Sequence, residues 1–225
     1  METVENKQLQ VKESAEQIRE KIKFNMYLTV KRILDVFLSI LGLIIFSPLF
    51  IIISIIVKID SKGPIFFAHE RIGKDGKPIK IYKFRTMCEN ADEMKNAFTE
   101  KQKQEFEKSF KLNDDPRITK VGKFLRKSSL DELPQLVNIL KGEMSLIGPR
   151  PIVEEELKKY GNQSSKFLRA TPGLTGLWQT KGRSKTTYEK RMEMELYYVD
   201  NRSLQLDAKI FFRTFKSLFE KGVAK

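Results

Sequence analysis

The chain is short of the residues that build covalent cross-links and zinc sites. It has one cysteine, Cys88, and one histidine, His69, among 225 residues. A single cysteine excludes an intrachain disulfide, so nothing in the sequence points to an oxidising compartment. One cysteine and one histidine are also too few for a zinc site. Any metal is therefore expected to be a hard cation, held by carboxylate and phosphate oxygens.

Acidic residues are also scarce relative to basic ones. Aspartate and glutamate number 29 against 42 lysines and arginines, which gives a formal net charge of +13. This excess implies an anionic partner: nucleic acid, anionic lipid head groups or a phosphorylated substrate. The length suits one ordinary domain with an appendage.

Charge is absent altogether from residues 36–57, a run of 22 residues interrupted by Ser47-Pro48. A cleaved signal peptide is not expected, because the run begins late, is too long and is followed by no small-residue cleavage site. A straight helix of this length reaches about 33 Å, enough to cross a bilayer core. Pro48 removes a backbone donor in the middle of the run and predicts a kink. The run therefore predicts a membrane segment with a bend at Ser47-Pro48.

Basic residues flank the run on both sides. They are Lys21, Lys23, Lys31 and Arg32 before it, and Lys58, Lys62, Lys74 and Lys77 after it. Basic flanks prefer the cytoplasm, so both are satisfied only if the segment enters and leaves on the same face. A re-entrant hairpin is therefore favoured over a spanning helix. The spanning helix stays open at this point, because a long C-terminal segment can translocate despite its charge.

The rest of the chain predicts a small hairpin followed by helices. Apolar alternation on both sides of Lys74-Asp75-Gly76-Lys77 predicts a β-hairpin over residues 63–85. Helices are predicted at 89–111, from Asp115 onward, from about Ser129, at 153–170 and in two final segments, with loops at 142–151 and 171–182. The last helix, at about 206–220, carries several phenylalanines beside basic residues. Such a helix suits either a membrane interface or packing on the soluble core, and both readings stay open.

The adjacent acids Asp131 and Glu132 are the leading candidates for chemistry. Ser129 lies three residues before Glu132, which predicts a capping box and a purely structural role at a helix start. Arg126 and Lys127, one turn upstream, favour a second interpretation, in which the acids meet a phosphoanhydride. A carboxylate in that setting can act as a nucleophile, with Mg²⁺ offsetting the repulsion from the incoming phosphates.

Other candidate sites are weaker when each is taken alone. Gly148-Pro149-Arg150-Pro151 predicts either a rigid loop or a guanidinium held stiffly for phosphate. Lys83 and Arg85, at the end of the hairpin, are either solvated charges or ligands. Trp178 lies in a glycine-rich loop, where packing is the simpler explanation.

Taken in order, these segments resemble the bacterial sugar transferase family of monotopic polyprenyl-phosphate phosphoglycosyl transferases. The matching segments are Lys31-Arg32-Ile33-Leu34-Asp35, Ser47-Pro48, Tyr82-Lys83-Phe84-Arg85-Thr86-Met87, Asp115-Pro116-Arg117-Ile118-Thr119, Leu125-Arg126-Lys127-Ser128-Ser129-Leu130-Asp131-Glu132-Leu133-Pro134-Gln135, Ser145-Leu146-Ile147-Gly148-Pro149-Arg150-Pro151 and Pro172-Gly173-Leu174-Thr175-Gly176-Leu177-Trp178-Gln179. The resemblance covers about residues 30 to 222, and the ordered set is specific although each motif is weak. His69 is a departure, since relatives often carry glutamine there.

The resemblance implies a mainly α fold with a small β-hairpin, a re-entrant membrane helix and membrane-surface amphipathic helices. It divides the chain into a polar extension (1–28), a membrane helix-break-helix (29–60) with its break at Ser47 and Pro48, and a cytoplasmic catalytic domain (61–225). The implied reaction transfers a sugar 1-phosphate from a UDP-sugar to undecaprenyl phosphate at the cytoplasmic face of the inner membrane and releases UMP. It would be the first step of exopolysaccharide, capsule or other glycoconjugate synthesis.

The resemblance also implies roles for individual residues. Asp131 becomes the nucleophile and Glu132 its partner, with Mg²⁺ at this pair. The implied phosphate- or substrate-binding residues are Lys83, Arg85, Arg126, Arg150 and Arg183.

Two other classes of protein compete with this interpretation. A membrane-anchored basic scaffold for nucleic acid or acidic lipid explains the charge and the apolar run, but leaves the acids among the cations without a purpose. A polytopic transferase needs many membrane spans, and the sequence has one apolar run. Because the scaffold interpretation gives the two acids no role, nucleic acid is not expected as a partner.

Overall fold

In a computed structural model, the chain is described over residues 2–109, 112, 114–181 and 186–219, with side chains described over 14–106, 112, 114–181 and 186–216. The helices are α1 (Glu2–Asp60), α2 (Glu100–Ser109), α3 (Lys120–Ser128), α4 (Gln135–Lys141), α5 (Glu154–Lys158), α6 (Ser164–Phe167), α7 (Leu177–Lys181), α8 (Tyr188–Asn201) and α9 (Leu204–Phe219). The strands are β1 (Phe66–Ile72), β2 (Pro78–Phe84), β3 (Ser145–Ile147) and β4 (Gly173–Thr175). This mostly helical architecture with one antiparallel hairpin confirms the predicted fold class at that level.

Helix α1 runs through the apolar segment without separating into two helices, and Pro48 lies inside it. Pro48 has no N–H for the carbonyl of Ile44, four residues back. The Ser47 hydroxyl donates to that carbonyl instead, at 2.8 Å. A neighbouring serine thus satisfies the oxygen that the proline leaves unpaired, as is tolerated in membrane helices. The predicted helix-break-helix is not seen as an interruption of α1, and the re-entrant path stays a prediction.

The apolar segment of α1 has one face against the protein and one face exposed. Ile53 and Val57 are 4% and 2% exposed and pack with Phe84 and Leu125. Other large apolar side chains of α1, such as Ile44 and Ile51, are more than half exposed. Only 11% of the most apolar 18-residue window is buried, whereas a core helix of a soluble protein is mostly buried. This helix is long and apolar enough to cross a membrane, and we take it as the membrane-associated element.

Polar contacts fix the N-terminal side of this segment to the rest of the fold. Lys31 Nζ donates to Asp207 Oδ2 at 2.7 Å, and the Leu146 backbone N–H donates to Asp35 Oδ1 at 2.9 Å. Arg32 donates to the carbonyls of Ile139 and Leu140 in the last turn of α4, where a cation also complements the helix dipole. The helix is therefore docked on the domain and is not a separate tether.

The predicted β-hairpin is confirmed. Strands β1 and β2 pair antiparallel, and Asp75 and Gly76 adopt positive φ angles of 56° and 79° at the turn. Asp and Gly are among the residues that tolerate this conformation.

A second, parallel pair of strands was not predicted, because both strands lie in segments expected to be loops. Ser145 pairs with Gly173 and Ile147 with Thr175. Each strand has three residues, too few to show alternation. A Cβ on Gly173 would lie 2.1 Å from the nitrogen of Gly148, so the close approach of these two backbones requires glycine.

Several predicted helix boundaries were wrong. The segment 89–111 divides into a 3₁₀ turn, Glu93–Ala97, and α2. The helix expected from Asp115 begins at Lys120, after Thr119 caps it by accepting from the Gly122 N–H at 2.9 Å. The segment 153–170 is interrupted by a 3₁₀ turn where Gly161 has a φ of 51°.

The two closing helices are confirmed as α8 and α9, and α9 supports both readings proposed for it. Ile210 is fully buried in the core with Ile147, Leu177 and Tyr198, whereas Phe212 is 70% exposed.

Candidate active site

The turn that carries Asp131 and Glu132 joins α3 to α4. Ser129 ends α3 with a left-handed φ of 59°, and Leu130–Glu132 follow as a 3₁₀ turn. The predicted capping box is wrong: Ser129 makes no side-chain capping bond, because an N-cap needs extended backbone angles. The Glu132 side chain is thereby left to face the hairpin. A non-glycine residue in the left-handed region is strained. Such strained residues are often found next to functional sites.

Asp131 is a buried carboxylate, 7% exposed. Burial raises its pKa to about 6, with a further rise from the charge of Glu132, while Lys83 and Arg126 act in the opposite direction. The carboxylate is therefore poorly solvated but lies in the field of two cations. A desolvated anion next to cations is suited to nucleophilic attack on a phosphate.

The pKa of Glu132 shifts in the opposite direction from that of Asp131. Lys83 Nζ, from β2, donates to Glu132 Oε1 at 2.6 Å. Burial alone would raise the pKa of Glu132, but Lys83, Arg150 and a hydrogen bond from Gln135 together lower it below its usual value. Two adjacent acids with pKa values pushed apart are suited to different roles.

Of the other predicted phosphate-binding residues, Arg126 and Arg150 lie near this pair. Arg126 is held by a hydrogen bond from its Nε to Thr86 Oγ1 at 2.8 Å. Burial lowers its pKa, and the negative charge of Asp131 partly restores it. Arg150 borders the same cleft as Glu132 and Lys83.

A further predicted ligand, Arg85, is not brought to the pair. Arg85 is buried, and its Nη2 donates to the carbonyls of Ser61 at 2.6 Å and Val57 at 3.4 Å, at the C-terminal end of α1. Its position ties the hairpin to the membrane helix, so its phosphate role stays a prediction. Arg183 lies outside the described residues.

The cleft also contains residues that sequence reasoning did not select. His69 and Arg71 from β1 and Ile81 and Lys83 from β2 line it together. The hairpin register pairs His69 with Ile81 and Arg71 with Ile79, which puts these side chains on one face of the sheet. The hairpin pattern could have identified Arg71. Lys83 pairs with Phe67, and every second residue of a strand lies on the same face, so Arg71 lies on the same face of the sheet as Lys83. Gln135, Gln179 and Leu174 complete much of the remaining wall.

The donor set restricts the metal that this site can hold. No group of three or more His, Cys, Asp and Glu side chains with metal-site geometry occurs among the described residues. Asp131 and Glu132 supply only carboxylate oxygens, and Glu132 already pairs with Lys83. Such a set suits Mg²⁺, which is usually held by one or two carboxylates together with substrate phosphates.

Comparison with known proteins places the chain in a family. The model of the bacterial sugar transferase family matches residues 26–221. The chain is 48% identical to the exopolysaccharide production protein ExoY of Sinorhizobium fredii over 84% of each chain. It is 46% identical to the undecaprenyl-phosphate galactose phosphotransferase of Salmonella typhimurium, over 87% of this chain and 41% of that protein. It is 42% identical to the UDP-glucose:undecaprenyl-phosphate glucose-1-phosphate transferase of Klebsiella pneumoniae, over 85% of this chain and 41% of that protein.

The chain therefore belongs to the bacterial sugar transferase family, and the prediction of a phosphoglycosyl transferase is confirmed. The scaffold alternative is thereby excluded as its main role. The chain spans 41% of the length of each of the latter two relatives, and the sugar in their names is said of those proteins only.

Proposed function

We propose that this family member transfers a sugar 1-phosphate from a UDP-sugar to undecaprenyl phosphate, as the first step in making an exopolysaccharide, capsule or other glycoconjugate. The observation that carries the proposal is Asp131, a buried carboxylate with a raised pKa in the field of Lys83 and Arg126. Two relatives are named for transfer involving undecaprenyl phosphate, and one of these names UDP-glucose as the donor.

The reaction proceeds in two displacements. An Asp131 carboxylate oxygen attacks the phosphorus that bears the sugar, and the phosphoanhydride bond to UMP breaks as the new P–O bond forms. Undecaprenyl phosphate then attacks the same phosphorus through one of its oxygens. That step gives undecaprenyl diphosphate sugar and frees the Asp131 carboxylate, so bonds and charges balance.

The other groups near Asp131 support these steps. Lys83 holds Glu132 ionised and in place at 2.6 Å, so that the pair presents oxygens in a fixed arrangement. Mg²⁺ bound at Asp131 and Glu132 would offset the negative charge of the donor phosphates. Arg126, oriented by Thr86, supplies a further cation close to the attacked phosphate.

Exposed aromatic side chains of the hairpin support an approach of the lipid acceptor to this cleft from the membrane. Phe66 and Phe67 of β1 are 47% and 52% exposed. Phe67 pairs with Lys83 across the hairpin, and its ring centroid is 5.9 Å from that of His69. An aromatic surface next to the cleft suits the boundary between head groups and acyl chains. We place the reaction at the cytoplasmic face of the inner membrane, where nucleotide sugars are found.

The test uses the full chain purified in detergent or nanodiscs. A panel of UDP-sugars is mixed with undecaprenyl phosphate and Mg²⁺, and UMP release is measured. At least one sugar should give UMP and a lipid-linked sugar, and omission of Mg²⁺ should stop turnover. If no sugar in a broad panel releases UMP, the donor assignment is wrong.

Kinetics separate the covalent route from a direct one. Double-reciprocal plots for donor and acceptor should be parallel, and a labelled sugar should stay on the protein when undecaprenyl phosphate is omitted. Intersecting lines without labelled protein would instead mean a ternary complex, with Asp131 acting as a base or metal ligand.

A further inference from the structure

Three arginines, Arg71, Arg150 and Arg191, cluster beyond the acid pair, and two of them lie near the ring of Trp178. Arg71 and Arg150 line the cleft together with Glu132. The guanidinium carbons of Arg150 and Arg191 lie 5.9 Å and 4.6 Å from the centroid of the Trp178 ring. After burial, the charges of Arg150 and, more weakly, Arg191 lower the pKa of Arg71, so the three cations lie close enough to repel one another.

These cations have few partners within the described part of the chain. Neither Arg71 nor the Arg150 guanidinium forms a hydrogen bond or ion pair with a described residue, and the Arg150 backbone N–H alone donates to Glu195. Arg191 is 7% exposed and donates through Nη1 to Glu156 Oε1 at 3.3 Å. Its Nε and Nη2, and Nε1 of Trp178, are buried with no partner among the described residues. Buried donors without acceptors are costly, which indicates that an acceptor belongs there.

The carboxylates that face this cluster do not neutralise it. Glu156 is already paired with Arg191, and Glu155 acts on Arg71 only weakly. Glu195 is fully buried, and burial raises its pKa to about 7, so it is only partly ionised at neutral pH. Its Oε1 accepts from the Arg150 backbone N–H at 3.1 Å, while its Oε2 has no described partner. The cluster therefore keeps a net positive charge beside the cleft.

We propose that Arg71, Arg150 and Arg191 form a second anion subsite, which binds the phosphate of the departing nucleotide. This inference rests on the proposed function, because a diphosphate donor presents two phosphates in a row. The first faces Asp131, and the second takes up negative charge as its bond to the first breaks. Arg150 lies close enough to act electrostatically on both Glu132 and Arg71, and all three line the cleft, so a second phosphate beyond Glu132 meets Arg150 and Arg71. Fixed guanidinium donors at a leaving phosphate stabilise the charge that develops there.

Binding of UMP to the purified full chain, measured by calorimetry without donor sugar, tests this subsite. Arg71→Gln should weaken UMP binding at least about tenfold, since it removes a charged donor. Arg71→Lys, which keeps the charge, should retain part of the affinity. Lys80→Gln is the matched control, because it removes a charge from an exposed position on the same hairpin, outside the cleft, and should change UMP binding less than twofold. Inorganic phosphate at millimolar concentration should displace UMP from the parent protein.

Turnover then separates this subsite from the proposed function. Arg71→Gln should raise KM for the UDP-sugar and weaken product inhibition by UMP. Transfer from preformed phosphosugar-protein to undecaprenyl phosphate should stay at the parent rate, because the nucleotide has already left. Unchanged UMP binding in Arg71→Gln, with a parent protein that turns over normally, would overturn the subsite and leave the proposed function intact. A parent protein that releases no UMP from any UDP-sugar would defeat the proposed function itself.

Discussion

The exposed face of α1 and the site formed by Asp131, Glu132 and the neighbouring cleft depend on their individual side chains to very different degrees. On α1, exposed side chains such as Ile44, Ile51 and Phe37 share one property, apolar surface, and none has a specific polar partner. Around Asp131, individual side chains hold specific positions, as Lys83 does against Glu132 and Arg126 against Thr86. A membrane face is a sum of similar small contributions, whereas a site for phosphate chemistry depends on single charges. Substitutions should therefore have large effects in the cleft and small ones on the lipid-facing side.

Asp131→Asn should have the largest effect. The change keeps the shape of the side chain and removes the nucleophilic charge, so turnover should fall by about three orders of magnitude or more. The measurement is UMP release with saturating donor and acceptor, together with trapping of labelled sugar on the protein. Near-normal turnover in this variant would mean that the site depends no more on a single side chain than the exposed face of α1 does.

The pH profile should show the raised pKa of Asp131. Its nucleophilic form is lost as the pH falls through about 6, so kcat/KM for the donor should drop about tenfold per pH unit below that value. The folded-state pKa lies above the unfolded one, so the contribution of Asp131 to stability becomes less favourable as pH rises between about 4 and 6. Glu195 also has a raised pKa, so Glu195→Gln serves as a control that should keep the acid limb. A flat profile from pH 5 to 7 would contradict this prediction.

Pro48→Ala tests the position in the apolar run of α1 where a single residue is expected to set the path through the membrane. Alanine restores an N–H for the Ile44 carbonyl, which the Ser47 hydroxyl satisfies in the parent protein. The helix should then favour a straight, spanning path. With Cys88 replaced, reporter cysteines before residue 30 and after residue 60 should both resist external labelling in the parent protein. One of them should become labelled in a fraction of Pro48→Ala molecules.

Ser47→Ala is the comparison variant for this experiment, because it removes the hydroxyl but keeps the proline. It should leave both reporters protected. External labelling of either reporter in the parent protein would exclude the re-entrant path.

A matched pair on α1 compares its buried and exposed faces, and the exposed member should give the smallest effect of all. Ile53 packs on Phe84 and Leu125, so Ile53→Ala should destabilise the fold by about 2–4 kcal/mol through cavity formation. Ile51 is 63% exposed, and Ile51→Ala should change stability by less than about 0.5 kcal/mol. Thermal unfolding in the same detergent compares the two variants. Equal losses would mean that the outward face of α1 is packed against protein.

Much of the site could be predicted from the sequence, but its pairings could not. Lys83, Asp131 and Glu132 were identified from motifs, and the structure brings them together. The predicted capping box at Ser129 was wrong because Ser129 has a left-handed φ, which leaves Glu132 to face the hairpin. No local sequence pattern predicts that angle. Arg71 was missed because its partners in the cleft lie on separate elements, although the period of two in the hairpin contained the signal.

The sequence by itself determined the features that depend on composition and short-range order. These are the net charge, the membrane-associated helix, the hairpin turn at Asp75-Gly76 and the adjacent acids. Their physical causes are local: apolar surface, backbone angles that few residues tolerate, and covalent adjacency. The tertiary structure alone decided that the two acids differ in pKa, that Arg85 is directed toward α1, and that Arg150 and Arg191 meet at Trp178. Those outcomes depend on burial and on distances between residues far apart in the chain, and Coulomb energy and desolvation are set by these quantities rather than by residue type.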